Sequence, residues 1–204
     1  MRNSDGTTAD IREGFRRGLE RHREAIDGLA GEPLARLFDL VHLVHGTLAA
    51  GGKVLACGNG GSASDAQHFV AELVGRYRDE RPALAAVALN TDGAVLTCVA
   101  NDYDYERLFA RQVEALGRPG DLLLAISTSG RSPNVLRALE TARARGLKTA
   151  ALLGRDGGPA RSLADLALVV EAGETARIQE AHAVLIHLLC EALDRLLGTP
   201  AAGA

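Results

Sequence analysis

His68 and Glu72 stand four residues apart in "GNGGSASDAQHFVAELVGRY", residues 58–77. Residues at that spacing share one face of a helix. An imidazole and a carboxylate on one face can move protons near neutral pH, or offer nitrogen and oxygen donors to a metal ion. Taken alone, the pair is an ordinary solvated face worth roughly 0.2–0.5 kcal/mol. The loop ahead of it, Gly58-Asn59-Gly60-Gly61-Ser62, favours chemistry, because bare backbone there can approach an anion closely. Ser62 is expected to be the N-cap of the helix that follows, with Asp65 three residues on. The loop lacks the lysine of a P-loop.

A second loop, "STSGRSPN" (127–134), carries the hydroxyls of Ser127, Thr128, Ser129 and Ser132 around Gly130, and Pro133 suits the first turn of a helix. Ser, Thr and Gly make turns in every protein. Two such loops at strand ends together point to a phosphate monoester. In "RIQEAHAVLIHLLCEALDRLL" (177–197), Ile178, Leu185, Leu189, Ala192 and Leu196 mark a core side. His182 falls near that side as a packed residue, His187 lies opposite and available, and Gln179 sits at the flank.

These loops need strands and helices to hold them. Short apolar runs at 53–57, 84–89, 121–127, 147–153 and 166–170 read as strands, and near-continuous apolar strands imply a parallel sheet covered on both faces. Helical patterns lie between and after them, at 62–77, 104–117, 133–146 and 176–197. Two helices precede them, 10–30 and 34–51, the first a stripe of Ile11, Phe15, Leu19, Ile26 and Leu29 that needs a partner surface. On the helix over 62–77, Ala66, Val70, Leu73 and Tyr77 face the sheet, while Asp65, His68, Glu72 and Arg76 form the opposite stripe. The expected fold is therefore α/β: a three-layer α/β/α arrangement on a five-stranded parallel sheet, preceded by two N-terminal helices. In such sheets ligands settle beyond the carboxyl ends of the strands, where both loops lie.

With 204 residues and a formal charge of −3, the chain reads as one domain without the basic footprint of a nucleic-acid binder. Residues 1–50 supply the helices and serve oligomerisation, 51–197 form the core, and 198–204 form a frayed tail. Cys57, Cys98 and Cys190 are far apart in apolar runs, which fits small hydrophobes in a reducing cytosol. The polar N-terminus and the lack of a long apolar run predict a soluble, cytoplasmic protein with no membrane partner.

The motifs "GGKVLACGNGGSASDAQHFVAELVGRY", "VANDYDYERLF", "ISTSGRSPNV" and "RIQEAHAVLIH", in that order and spacing, resemble the phosphoheptose isomerases of the sugar isomerase (SIS) domain family across roughly residues 50–197. The resemblance implies interconversion of sedoheptulose 7-phosphate and D-glycero-D-manno-heptose 7-phosphate, the first step of nucleotide-activated heptose biosynthesis, by a homotetramer that binds Zn²⁺. It implies metal ligation by His68, Glu72, Gln179 and His187. Its sugar-phosphate contacts fall on Gly60, Gly61, Ser62, Asn101, Asp102, Ser127, Thr128, Ser129 and Ser132, to which the loop and helix reading adds Asn59, Asp65, Glu72 and Gln179. It also implies Glu72 as base and His187 as acid. Ala63 and Ser64 stand where some relatives carry His and Cys, which bears on substrate preference.

Moving a carbonyl from C2 to C1 through an enediol(ate) needs one base and one acid, and a carboxylate with an imidazole suffices. A carboxylate bound tightly to zinc is a weak base, so Glu72 is expected to change coordination during turnover. Gln179 and His187 are eight residues apart, a rise of about 12 Å on a helix. Either the helix begins after Gln179 or subunits share the site, and the outward-facing reactive stripes favour a site where subunits meet. Two other readings compete. One is a noncatalytic SIS module binding a phosphosugar or a replication-initiator protein, resembling a bacterial factor with "ALNTD", "AND" and "RIQE"-like segments. That factor lacks acid and base groups at the positions of Glu72 and His187. The other is isomerisation of a hexose or pentose phosphate with the same parts.

Overall fold

Five short apolar strands assemble into one parallel sheet: β1 (Val54–Gly58), β2 (Ala86–Ala88), β3 (Leu122–Ser127), β4 (Lys148–Gly154) and β5 (Leu166–Val170), in spatial order β2-β1-β3-β4-β5. The computed structural model describes residues 4–197, the side chains of residues 4–7 and 9 excepted, so the expected frayed tail lies outside the described residues. In register, Ala56 pairs with Ala88 on one side and Leu124 on the other. Every residue of β1 and β3 is buried, as strands covered on both faces require.

Eight helices are described: α1 (Ser4–Asp27), α2 (Glu32–Ala49), α3 (Gly61–Val74), α4 (Gly93–Asp102), α5 (Leu108–Leu116), α6 (Pro133–Ala144), α7 (Ala160–Leu163) and α8 (Thr175–Leu197). Strand residues alternate between two cores. Val54, Ala56, Leu122, Leu124 and Ile126 meet α2, α3 and α8, while Leu55, Cys57, Leu123 and Ala125 meet α5, α6 and α7. From β1 the chain crosses to β2 at the edge, then returns past β1 to β3 and proceeds outward. The strand order therefore reverses between β1 and β3, and the loops after those two strands part to opposite faces, opening the crevice typical of such switch points.

The expected architecture is present, with local corrections. Residues Gly93–Asp102, given no helix by periodicity, form α4 because the Asp92 carboxylate accepts from the amides of Ala94 and Val95 at 2.9 and 3.0 Å. The helix expected over 104–117 is a single 3₁₀ turn, Tyr105–Arg107, capped by Asp104, followed by α5. The strand expected over 84–89 shortens to three residues at the sheet edge. Cys57 and Cys190 are buried as expected, but Cys98 is exposed, its thiol 3.4 Å from Asp102 Oδ2.

The start of α8 is tied to α1. Arg177 donates to the Gly18 carbonyl at 2.8 Å and pairs with Glu180 at 2.9 Å, and Glu180 meets His22 Nδ1 at 2.8 Å. Arg21 pairs with Glu174 beside them. Further toward the N-terminus the stripe is bare: Ile11, Phe15 and Leu19 are 50%, 70% and 57% exposed, while Leu29 is buried. No surface among the described residues covers that part of the stripe.

Candidate active site

Backbone conformation explains the first loop. Gly60 occupies the N-cap of α3 with φ +57°, a conformation glycine adopts without strain. The expectation that Ser62 caps α3 is corrected: Ser62 lies inside the first turn, is buried, and donates its amide to the Asn59 carbonyl at 3.0 Å. Gly58 ends β1 where a Cβ would stand 2.5 Å from the Ser62 carbonyl oxygen, so the turn is too tight for any other residue.

The β3–α6 loop folds on its own hydroxyls. Ser127 Oγ accepts from the Gly130 amide at 3.1 Å and Ser129 Oγ from the Arg131 amide at 3.2 Å, leaving each O–H able to donate elsewhere. Ser132 is the N-cap of α6, with Pro133 first in the helix as expected. The two loops are joined by side-chain amides: Asn59 and Asn134 exchange hydrogen bonds of 2.8 and 2.9 Å, and Tyr105 donates to Asn59 Oδ1 at 3.0 Å. Asn59 thus has its side chain engaged inside the protein. Asn134 and Tyr105 escaped the sequence reading, although both lie in quoted motifs, because nothing in their spacing reveals a partner 75 or 46 residues away.

α3 and α8 pack side by side and bring three candidate groups together. His68 Nε2 lies 3.3 Å from Glu72 Oε1 and 3.2 Å from His187 Nε2. Glu72 is half-buried, with 23% of its side chain exposed, and His187 is exposed. His182, expected to be packed, is fully buried; burial pushes its imidazole down to about 4, outweighing a bond from Nε2 to the Leu153 carbonyl. α3 carries Asp65, His68 and Glu72 but ends at Val74, so Arg76 and Tyr77 of the two expected stripes belong to the following loop.

Gln179 occupies a different place. A Cβ at Gly61 would lie 2.2 Å from Gln179 Nε2, so this amide rests directly against the glycine loop. α8 is continuous from Thr175, which removes the alternative of a helix that begins after Gln179. His187 stands two turns further along. Gly61→Ala is expected to push the flexible Gln179 side chain away while leaving the fold intact, lowering kcat/KM by roughly tenfold. Steady-state kinetics beside a melting curve checks this: unchanged kcat/KM would show that the contact is idle.

Asp65, on the same face of α3, has a buried Oδ2 with no hydrogen-bond partner among the described residues. Burial raises its carboxyl to about 6, against a weaker opposing pull from His68. Because the folded form holds the proton more tightly than the unfolded one, stability falls as pH rises from the ordinary value of 3.8 through about 6, and the full penalty stands above that. Asp65→Asn is expected to raise the melting temperature of chelator-treated protein at pH 7, and the gain should shrink as pH drops toward 4.5. An equal gain at both pH values would contradict the assignment.

Asn101 and Asp102 end α4 on its exposed side, bonded to each other at 2.8 Å, which holds the Asp102 carboxyl below its usual range with help from Cys98. They make no hydrogen bond to either loop among the described residues. Asn90, absent from the sequence reading, donates to the Gly58 carbonyl at 2.5 Å and keeps a buried, unpartnered Oδ1 at the end of β2. A cavity of about 460 Å³ lies elsewhere, between α1, α2 and the β5 edge, lined among others by Glu24, Arg36 and Arg161. It contains none of the candidate residues.

Two imidazole nitrogens and a carboxylate oxygen are ligand types that zinc accepts, and His68 Nε2 lies 3.2 Å from His187 Nε2 and 3.3 Å from Glu72 Oε1. Among the described residues, no group of three or more His, Cys, Asp or Glu is placed to hold a metal ion.

Residues 20–154 match the SIS domain model. The chain is 54% identical to a phosphoheptose isomerase of Helicobacter pylori (strain P12) over 174 residues, covering 85% of this chain and 91% of that one. Among solved structures, it is similar to phosphoheptose isomerase from Neisseria gonorrhoeae, with TM-score 0.81, 43% identity, and 93% and 99% of the two chains covered. It is likewise similar to a phosphoheptose isomerase from Francisella tularensis, with TM-score 0.84, 37% identity, and coverage of 93% and 98%.

Proposed function

The chain belongs to the phosphoheptose isomerases of the SIS domain family, and on that premise we propose that it converts sedoheptulose 7-phosphate to D-glycero-D-manno-heptose 7-phosphate, with Glu72 as base and His187 as acid. The observation that carries the reading is the convergence of Glu72, His68 and His187 on one face of α3 and α8, beside a glycine loop and a hydroxyl loop that meet at the sheet's switch point.

The phosphate is received by the amides of Gly60 and Gly61 and the hydroxyls of Ser127, Thr128, Ser129 and Ser132. Anchoring that remote end holds C1 and C2 beside the reacting groups, so binding energy is used for orientation. Half-buried Glu72 takes the C1 proton while the His187 imidazolium protonates O2, giving the enediol; on collapse His187 takes the O1 proton and Glu72 returns its own to C2, so both groups end as they began. His68 lies between them and fixes their spacing. His68, Glu72 and His187 would hold zinc, which supplies positive charge for the carbonyl oxygen when bound. Gln179, against Gly61, is placed to meet the sugar or to serve a neighbouring subunit's site. The bare Ile11–Phe15–Leu19 stripe supports an assembled homo-oligomer, and the fold carries no helix among the described residues long and apolar enough to cross a membrane.

The test is incubation with sedoheptulose 7-phosphate, with and without chelator and added zinc, followed by NMR. The heptose 7-phosphate is expected as product. Turnover of a hexose or pentose phosphate in its place would redirect the substrate assignment, and no turnover of any phosphosugar would favour a noncatalytic binding module.

A further inference from the structure

We propose that Tyr77 is a positioning residue for His187, held in place by the buried ion pair of Arg81 and Asp194. This rests on the reading of His187 as the acid.

Tyr77 lies just past the end of α3, half-buried against the core shared with α8. Its ring stacks on the His187 imidazole, with centroids 5.7 Å apart and planes 29° from parallel. His68 meets the same imidazole edge-on, at 4.9 Å and 80°. The Arg78 guanidinium lies 5.2 Å from the Tyr77 ring centroid. An exposed histidine otherwise samples several rotamers, and the ring contacts with Tyr77 and His68 confine this one beside His68.

What places Tyr77 is a dry joint. Arg81 and Asp194 are both buried and pair at 2.9 Å. Asp194 Oδ2 also accepts the amides of Arg78 and Asp79, at 2.8 and 3.1 Å, directly after Tyr77. Arg81 donates to the carbonyls of Glu72 at 2.6 Å and Leu73 at 3.0 Å. Asp194 is seven residues beyond His187, on nearly the same face of α8. The loop is thereby fastened to the turn that carries the base and to the helix face that carries the acid, which fixes their separation through groups that never meet substrate.

The experiment compares Tyr77→Phe, Tyr77→Leu and Tyr77→Met by steady-state kinetics and melting curves, with His187→Gln assayed in parallel. Tyr77→Phe keeps a stacking ring and is expected within about twofold of wild type, whereas Tyr77→Leu and Tyr77→Met should lose about tenfold in kcat with KM changed by less than about twofold. Methionine refills the apolar contact, so loss of packing alone would spare that variant. Full kcat in either non-aromatic variant, a change confined to KM, or Tyr77→Phe as poor as Tyr77→Leu would overturn the role. An active His187→Gln overturns the underlying reading of His187 as the acid, while an inactive one beside a normal Tyr77→Leu overturns the positioning role alone.

Discussion

Glu72→Gln is expected to lower kcat by about 10²–10⁴-fold, the range that a positioned general base supplies. Gln has nearly the same shape, and the Glu72 backbone carbonyl keeps its bond from Arg81, so α3 and its packing should persist. What disappears is the proton acceptor 3.3 Å from His68. KM should change far less than kcat, because the phosphate loops are untouched. Two measurements check this: steady-state turnover of sedoheptulose 7-phosphate, and exchange of the substrate C1 proton with deuterated solvent, which should stop. Normal turnover, or exchange continuing at the wild-type rate, would remove Glu72 as the base.

Arg81→Met is expected to destabilise the protein by about 3–5 kcal/mol, the usual effect of leaving one partner of a buried ion pair uncompensated. Asp194 shows why. Burial opposes its ionisation, but the amides of Arg78 and Asp79 and the Arg81 guanidinium outweigh that and hold its carboxyl below the ordinary range. Without Arg81 the carboxylate stays buried with two amides, the Glu72 carbonyl loses its guanidinium donor, and the Leu73 carbonyl keeps only the Leu84 amide. For a chain of this length the melting temperature should fall on the order of 10 °C. The double variant Arg81→Met/Asp194→Leu should recover part of the loss, since apolar replacements of similar volume are often tolerated. A melting temperature unchanged in Arg81→Met would show that the pair is not holding the loop.

Periodicity made the sheet legible because its strands are buried on both faces and so appear as unbroken apolar runs, such as "KVLAC" and "DLLLAIS". α4 was hidden because only Val99 in it is buried, leaving no apolar stripe to read; its one signal was Asp92 in "TDGAV". The His68/Glu72 pair could be found because both residues sit in one turn of one helix. Their meeting with His187, 119 residues away, depends on how α8 crosses α3, which no local pattern encodes. Arg81 and Asp194 were invisible for a sharper reason. Charged residues are ordinarily exposed, and only the enclosure of this pair shows that they act as a joint.

Gln179 and His187 ride on one unbroken helix. A ligand gripped beside Gly61 therefore meets the imidazole region at an interval fixed by backbone pitch, about 12 Å of rise between the two positions. No side-chain rotamer can stretch or shorten that interval. On the proposed reading, that interval would set how many carbons fit between phosphate and carbonyl.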